Sequence, residues 1–375
     1  MVYTKAWVVD LILDLAGYTA DKDLAAAVAV EPAAGDGAFV VPMARRLIAS
    51  CRRYGRPIHD CTDGLIAYEI DEIGANAARF AVETLLHELG VARDEAGRVA
   101  AGWVRNGDYL LDASGLPRAD YVIGNPPYIR LEDIDGAKAA AYRGAYTTMR
   151  GRADIYVAFY EAALRQLAPA GVCAFICADR WMFNQYGAEL RRLVTSEYGV
   201  EAIVEMHNAA AFEDDVNAYP AVAVVRRGAQ GPAVVASAGP ATGQASGATL
   251  AHSLHATRAD MTDVQMPDGV RAARVETWFA GTDPWPCISP ERLTLLKRLE
   301  RDFLPLEAIH TATRIGIGVA SGQAQYLRRI RVPHPRAILA LQAEGLADAF
   351  HRRDVALATR LALEVYDIAA LPEDG

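Results

Sequence analysis

Short apolar runs alternate with longer amphipathic segments up to about residue 227, and this alternation constrains the fold more than any other feature. Such a pattern is typical of strand-helix-strand units, which build a mostly parallel sheet covered by helices. The last two predicted strands are joined by a loop too short for a crossover helix, so they should pair antiparallel. The seven predicted strands are residues 25–31, 65–71, 103–110, 119–124, 171–178, 200–207 and 218–226.

The rest of the chain differs in character. Residues 228–280 include a stretch rich in Gly, Ala, Ser and Pro without a sustained period, and we interpret them as a flexible linker. Residues 281–375 are predicted to form a small, mostly helical C-terminal region that contains a cluster of arginines at Arg328, Arg329 and Arg331. The expected organisation is therefore a domain at 1–227, a linker, and a C-terminal region.

Composition excludes several classes of protein. A hydrophobic fraction of 52% rules out global disorder, and a net charge of −9 argues against binding nucleic acid through bulk positive charge. No apolar run is long enough to span a membrane and no signal peptide is evident, so we expect no membrane association and a cytoplasmic location. The five cysteines form no Cys-x-x-Cys pair, and neither a disulfide framework nor a bound metal is expected.

Candidate binding residues follow the first three predicted strands. Glu31 precedes a loop containing Gly35 and Gly37, whose glycines would let the backbone approach a nucleotide-like ligand; an ordinary tight turn remains the alternative. Glu69, near the end of the next strand, stands where ribose hydroxyls would lie, or caps the following helix. Asp108 and its neighbour Tyr109 suit an adenine ring, but also a simple turn.

The fourth strand stops at Asn125-Pro126-Pro127-Tyr128, which is the decisive motif. Two prolines cannot continue a strand ladder, and they hold Asn125 in an extended conformation. The Asn125 amide oxygen and the Pro126 carbonyl can each accept one hydrogen of a planar amino group, while Tyr128 stacks on the attached ring. The motif predicts an acceptor array for an amino-bearing ring.

These residues together resemble the amino-methyltransferases that use S-adenosylmethionine, most closely the DNA N6-adenine methyltransferases of restriction-modification and phage-defence systems. The resemblance runs from Val2 to about Arg227. It implies a seven-stranded, Rossmann-like class I methyltransferase sheet whose last strand is antiparallel. It also implies transfer of a methyl group to the N6 amino group of a flipped adenine in double-stranded DNA, with a separate specificity or nuclease subunit as a candidate partner.

The resemblance also implies a role for each matched residue. The cofactor would be held by Thr4, Glu31, Ala33, Gly35, Gly37, Glu69, Ile70, Asp108 and Tyr109. The target base would be held by Asn125, Pro126, Tyr128 and Phe212, the last of these in the loop between the final two strands.

Two departures from the family pattern stand out. Lys5 follows Tyr3-Thr4 where the family has proline, which puts the cap over the cofactor in doubt. Two segments that flank a large recognition domain in relatives, residues 313–322 and 325–333, are separated here by two residues. We therefore expect residues 281–375 to be a truncated target-recognition remnant that reads DNA weakly or through a partner.

Two alternatives remain open. A glutamine-amide methyltransferase acting on a release factor would use the same acceptor array, although such enzymes carry a helical domain before the Gly-rich loop. A catalytically idle, truncated DNA-binding subunit would keep the fold, although every matched catalytic position is intact.

Overall fold

The computed structural model describes residues 3–151, 153–213, 219–243, 247–285, 290–305, 308, 331–334 and 337–369. The chain divides into two compact units, Met1–Cys287 and Ile288–Gly375. The first unit carries every residue matched to a catalytic or binding role in the sequence.

A central sheet with helices forms the first unit. Its strands are β1 (Ala29–Glu31), β2 (Leu65–Glu69), β3 (Val104–Asn106), β4 (Ala119–Gly124), β5 (Leu167–Ala178), β6 (Tyr198–Glu205), β7 (Pro220–Arg227), β8 (Ala233–Ala238) and β9 (Val270–Val275). Its helices are α1 (Ala6–Ala16), α2 (Val40–Arg53), α3 (Glu72–Glu88), α4 (Arg93–Trp103), α5 (Tyr109–Asp112), α6 (Gly136–Ala145), α7 (Tyr156–Gln166), α8 (Ala188–Glu197) and α9 (Gly247–Arg258).

The sheet runs in the order β3-β2-β1-β4-β5-β7-β6-β8-β9. The first five strands pair in parallel, and β7 lies between β5 and β6, antiparallel to both. The expected count of seven strands is wrong, because β8 adds in parallel beside β6 and β9 pairs antiparallel with β8. The strand order reverses between β1 and β4, the position at which parallel sheets open a crevice beyond their carboxyl ends.

The expectation of a flexible linker over residues 228–280 is also wrong. This stretch contains β8, α9 and β9, and α9 buries Leu250, Ala251 and Leu254 in the same core as α1. The prediction was wrong because this stretch is rich in small residues, which are common in flexible linkers. Alanine-rich strands and helices have the same composition, yet they bury a modest apolar face. The apolar run from Ala233 to Ala238 is the signal that identifies β8.

Helix α2 illustrates how the sequence positions the edge of the sheet. Met43, Leu47 and Cys51 recur at every fourth residue and are fully or almost fully buried, as an amphipathic helix packed on a sheet requires. Helix α2 begins directly after the loop that follows β1, so its packing fixes that loop against the carboxyl end of the strand.

The second unit is small. Within its described residues it contains α10 (Pro290–Asp302), a two-stranded ladder of β10 (Leu304–Pro305) and β11 (Arg331–Val332), and the helices α11 (Ala340–Arg352) and α12 (Val355–Val365). Of the arginine cluster, Arg331 lies in β11 with its carbonyl bonded to the Tyr366 hydroxyl at 2.8 Å. Arg328, Arg329, residues 313–322 and most of 325–333 lie outside the described residues.

Two further features bear on the expectations from composition. Cys51 at the end of α2 is joined to Cys61 by a disulfide, which the cysteine pattern did not predict. Among the helices of the described part of the chain, none combines the length and apolar character needed to cross a membrane.

Candidate active site

A cavity of about 620 Å³ opens at the carboxyl ends of β1, β2, β3 and β4. It gathers eleven of the thirteen residues singled out from the sequence: Thr4, Glu31, Ala33, Gly35, Glu69, Ile70, Asp108, Tyr109, Asn125, Pro126 and Tyr128. Residues far apart in the chain meet here because parallel strands present their carboxyl ends along one edge of the sheet.

Glu69 joins two loops of the cavity wall. Its carboxylate accepts a hydrogen bond from the Gly35 amide at 2.8 Å through one oxygen and from the Asp71 amide at 2.9 Å through the other. Gly35 has a φ of 57°, a conformation that favours glycine, and this conformation accompanies the amide's bond to Glu69. The Gly-rich loop is therefore bound to the end of β2 as well as to the end of β1.

Glu31 is the least satisfied charged group of the cavity. Its side chain is buried, and its Oε2 atom has no hydrogen-bond partner within the described part of the structure. Burial, reinforced by the neighbouring Glu69 carboxylate, raises the pKa of Glu31 well above its ordinary value. A cationic or hydrogen-bond-donating ligand group in the cavity would satisfy this oxygen, so the site suits a ligand with an ammonium group.

An aromatic and acidic subsite lies beyond β3. Tyr109 begins α5 and stacks on Phe159, with ring centroids 5.8 Å apart and planes inclined by 22°. Asp108 caps the same short helix by accepting a hydrogen bond from the Leu110 amide at 3.1 Å. The predicted strand 103–110 is thus shorter than expected, and its acidic and aromatic residues open a helix instead.

Helix α6 contributes two residues to this subsite that the sequence analysis missed. The Tyr142 hydroxyl donates to Asp108 Oδ2 at 2.6 Å, and the Lys138 ammonium lies 3.5 Å from the same oxygen. The burial of Tyr142 raises its pKa, so the hydroxyl keeps its proton. Nothing in the local sequence of α6 relates it to Asp108, because the two are neighbours only in the folded chain.

Asn125 and Tyr128 line the cavity beyond the end of β4, the strand that pairs with β1. The Asn125 amide nitrogen donates to Thr4 Oγ1 at 3.1 Å, and this bond orients the amide group. The Tyr128 hydroxyl donates to the Ile176 carbonyl at 3.3 Å and its ring packs edge-on against Tyr156. Burial raises the pKa of Tyr128 well above its ordinary value. Both residues are therefore held by segments distant in sequence.

The N-terminal segment and the loop after β6 pair with each other beside Asn125 and Tyr128. Thr4 and Phe212 form an antiparallel bridge, and the Lys5 amide donates to the Ala211 carbonyl at 2.9 Å. The Phe212 ring meets the Tyr128 ring edge-on with centroids 6.5 Å apart. Phe212 is not part of the cavity lining and reaches the site through Tyr128.

Gly37 is the second singled-out residue that does not line the cavity. Its φ is 112°, and a Cβ atom there would lie 3.2 Å from a methyl group of Val41 and 3.6 Å from the Ala78 backbone. The glycine is thus required by the turn into α2 and by its packing on α3, and it acts on the site through the shape of the loop.

Comparison with known proteins gives consistent matches. Residues 116–212 match the Eco57I restriction-modification methylase family. The chain is 37% identical over 324 residues to the type II methyltransferase M.PaeR7I of Pseudomonas aeruginosa, covering 86% of this chain and 55% of that protein. It is 35% identical over 326 residues to the type II methyltransferase M.XhoI of Xanthomonas vasicola, covering 86% of this chain and 58% of that protein.

A similar fold occurs in a solved structure, a modification subunit of a putative type I restriction enzyme from Vibrio vulnificus, with a TM-score of 0.54. The match has 15% identity and covers 79% of this chain and 61% of that one. The chain spans somewhat more than half the length of the curated relatives that it matches.

Proposed function

The chain belongs to the restriction-modification methylases, and on that premise we propose that it transfers a methyl group from S-adenosylmethionine to the N6 amino group of an adenine in double-stranded DNA. The observation that carries the proposal is that Asn125, Pro126 and Tyr128 line the same cavity as the Glu31 and Glu69 carboxylates. One cavity can therefore hold a cationic cofactor and an amino-bearing ring side by side.

The cavity residues fit S-adenosylmethionine. The unsatisfied Glu31 Oε2 atom would accept from the methionine ammonium group, and Glu69 would meet the ribose hydroxyls. Ile70 is 55% exposed at the cavity rim and offers an apolar face to the adenine ring, with Tyr109 on the same wall. Asp108 would accept from the adenine amino group in addition to the Tyr142 hydroxyl, because a carboxylate offers about four acceptor positions.

The acceptor side is built for a planar amino group. The Asn125 amide oxygen and the Pro126 carbonyl would each accept one of its hydrogens, which turns the nitrogen lone pair toward the cofactor side of the cavity. Tyr128 would stack on the ring, and Phe212 supports Tyr128 from behind. A base inside the duplex cannot reach such a pocket, so it is flipped out at a cost of a few kcal/mol.

The chemistry requires no nucleophilic side chain from the protein. S-adenosylmethionine supplies an electrophilic methyl group when it is bound. The protein's contribution is to align the amino nitrogen with that group and to stabilise the positive charge that develops on the nitrogen. The Asn125 and Pro126 oxygens supply that stabilisation by accepting the two amino hydrogens.

The direct test is transfer of an isotope-labelled methyl group to unmethylated duplex DNA of mixed sequence, followed by digestion to nucleosides and mass spectrometry. We expect N6-methyladenine from the wild type and roughly a hundredfold to a thousandfold less from Asn125→Ala. Asn76→Ala, an exposed position on α3, serves as the matched control and should behave as the wild type.

A different labelled product would indicate a different substrate or function. Labelled cytosine would overturn the adenine assignment, and a labelled glutamine amide on a release factor would move the substrate from DNA to protein. Cofactor binding without transfer to any of these would favour an idle DNA-binding subunit.

We also propose that recognition of a DNA sequence depends on a separate specificity subunit. Contacts to phosphates position a protein on DNA without reading it, whereas contacts to base edges carry the sequence information. Gel-shift titrations at fixed salt should show weak, sequence-independent binding by this chain. Tight and selective binding would contradict the proposal.

A further inference from the structure

Four residues outside the cavity meet at the carboxyl ends of β5 and β6. Asp179 follows β5, Glu205 ends β6, His207 is the second residue of the loop after β6, and Tyr219 ends that loop just before β7. His207 Nε2 lies 2.8 Å from Asp179 Oδ2, and His207 Nδ1 lies 3.1 Å from Glu205 Oε1. We refer to Asp179, Glu205 and His207 as the histidine clasp.

The clasp geometry calls for a doubly protonated histidine. A neutral imidazole has one N–H, whereas a carboxylate oxygen can only accept, so a neutral ring satisfies one of the two contacts. An imidazolium donates from both nitrogens and satisfies Asp179 and Glu205 together. The positions of both carboxylates are therefore matched to the charged form of His207.

Burial of Asp179 strengthens this argument. Its side chain is 4% exposed, and its second oxygen, Oδ1, has no hydrogen-bond partner within the described residues. Leaving a buried carboxylate without a compensating charge is costly, so His207 is the group that offsets it. Burial alone lowers the pKa of His207, but Asp179 and Glu205 outweigh it and raise the pKa above its ordinary value.

The clasp holds together the two ends of the loop that carries Phe212. The Asp179 amide donates to the Tyr219 carbonyl at 2.9 Å, while its side chain holds His207 at the other end of the loop. The His207 and Tyr219 rings meet edge-on with centroids 5.0 Å apart, and the Arg180 guanidinium lies 5.9 Å from the centroid of Tyr219. Both ends of the loop are thus fixed to the same residue, Asp179.

We propose that His207 is a positioning residue for methyl transfer: held between Asp179 and Glu205, its charged ring keeps Phe212 against Tyr128, and loss of its proton loosens that support. The proposal rests on the proposed function, because Tyr128 is the residue assigned to the acceptor base. Among the residues that the structure describes, the charged groups that face His207 are Asp179 and Glu205, with Arg180 beyond the Tyr219 ring.

The sign of the pH dependence follows from the raised pKa. The clasp is complete below the ordinary imidazole value of 6.5 and opens as the pH rises through the higher value of the folded protein. Turnover of DNA should therefore fall on the alkaline side. Cofactor binding should not follow this change, because the clasp residues are absent from the cavity lining.

The test is the rate of DNA methylation under kcat/KM conditions from about pH 6 to about pH 9, with cofactor affinity measured by calorimetry at each pH. We expect the wild type to lose roughly tenfold or more of its rate across this range, since small misplacements of binding groups cost up to about a hundredfold. His207→Gln should be slow throughout and lack the alkaline limb. His59→Gln, an exposed histidine beside Asp60, is the matched control and should keep the wild-type profile.

A second variant keeps the test decisive if His207→Gln folds poorly. Glu205→Gln removes one of the two carboxylates, so the alkaline limb should move to lower pH while the protein retains Asp179. An unchanged limb in both variants, or cofactor affinity that falls in parallel with the rate, would overturn the role of His207. Absence of N6-methyladenine from the wild type at every pH would refute the proposed function itself.

Discussion

The two sides of the cavity are built in different ways. On the cofactor side, formed by the loops after β1, β2 and β3, backbone amides of Gly35 and Asp71 hold the Glu69 carboxylate. On the acceptor side, lined by Asn125 to Tyr128 and Thr4, the Asn125 side chain is held by Thr4, 121 residues away in the chain, and Tyr128 is backed by Phe212. The first side depends on backbone amides, and the second depends on contacts between side chains.

This difference implies that the two sides can be damaged separately. Asn125→Ala should reduce methyl transfer by roughly a hundredfold to a thousandfold, the range found when one preorganised polar group of a reaction site is removed. The cofactor dissociation constant, measured by calorimetry, should stay within about twofold because the substitution leaves the Glu31 and Glu69 contacts intact. An equal loss in both quantities would show that the sides are not separable.

Glu31→Gln addresses the cofactor side. We expect cofactor affinity to fall by roughly tenfold to a hundredfold, because a hydrogen bond to a charged group contributes about 1.5–3 kcal/mol. The ligand-free protein should become more stable, because the substitution removes a buried carboxylate whose Oε2 atom has no hydrogen-bond partner among the described residues.

The pH dependence of stability sharpens this prediction. The pKa of Glu31 is raised on folding, so its contribution to stability is present below the ordinary value of 4.5 and is lost as the pH rises through the folded value. Thermal unfolding of the ligand-free wild type should reveal that loss, and the Gln variant should lack it. Weaker stability of the variant at neutral pH would contradict the account.

Gly35→Ala separates backbone strain from ligand binding. Alanine at a φ of 57° should destabilise the protein by about 1–2 kcal/mol and weaken cofactor binding severalfold, because the Gly35 amide holds Glu69. Gly55→Ala is the matched control: Gly55 has a φ of 65° with no atom near its Cβ position. The control should lose similar stability by denaturant unfolding and keep full cofactor affinity.

Thr4→Val makes the smallest change and tests the acceptor side. It removes the hydroxyl that accepts from Asn125, and a net contribution of about 1 kcal/mol corresponds to roughly a fivefold loss of rate. Thr4→Ser restores the hydroxyl and should recover most of the activity in the same assay. A rate for the serine variant as low as that of the valine variant would assign the effect to packing instead.

The sequence was most informative for the candidate site residues that lie at the carboxyl ends of strands. The positions of Glu31, Glu69, Asp108 and Asn125 around one cavity follow from a parallel sheet, and the apolar runs predicted that sheet. Their roles in binding and catalysis remain predictions. What the motif could not provide was the placement of Phe212 behind Tyr128, since that depends on the pairing of two distant segments.

Contacts made only in the folded chain account for the rest. Lys138 and Tyr142 bind Asp108 from α6, with α5 and β4 between them in the chain, and no periodicity in α6 relates them to it. The two extra strands were missed because small residues in β8 and around α9 suggested a linker, although both elements bury a continuous apolar face. The composition of a segment limits how much apolar surface it can bury. Whether that surface is buried depends on the elements that pack against it in the fold.

The bridge between Thr4 and Phe212 has a consequence for the order of assembly during synthesis. Chains emerge from the ribosome N-terminus first, and contacts between remote residues form late because a long loop must be closed. The loops after β1, β2 and β3 can be complete while Thr4 still awaits its partner. The support that Phe212 gives to Tyr128 can therefore form only after residue 212 has been synthesised.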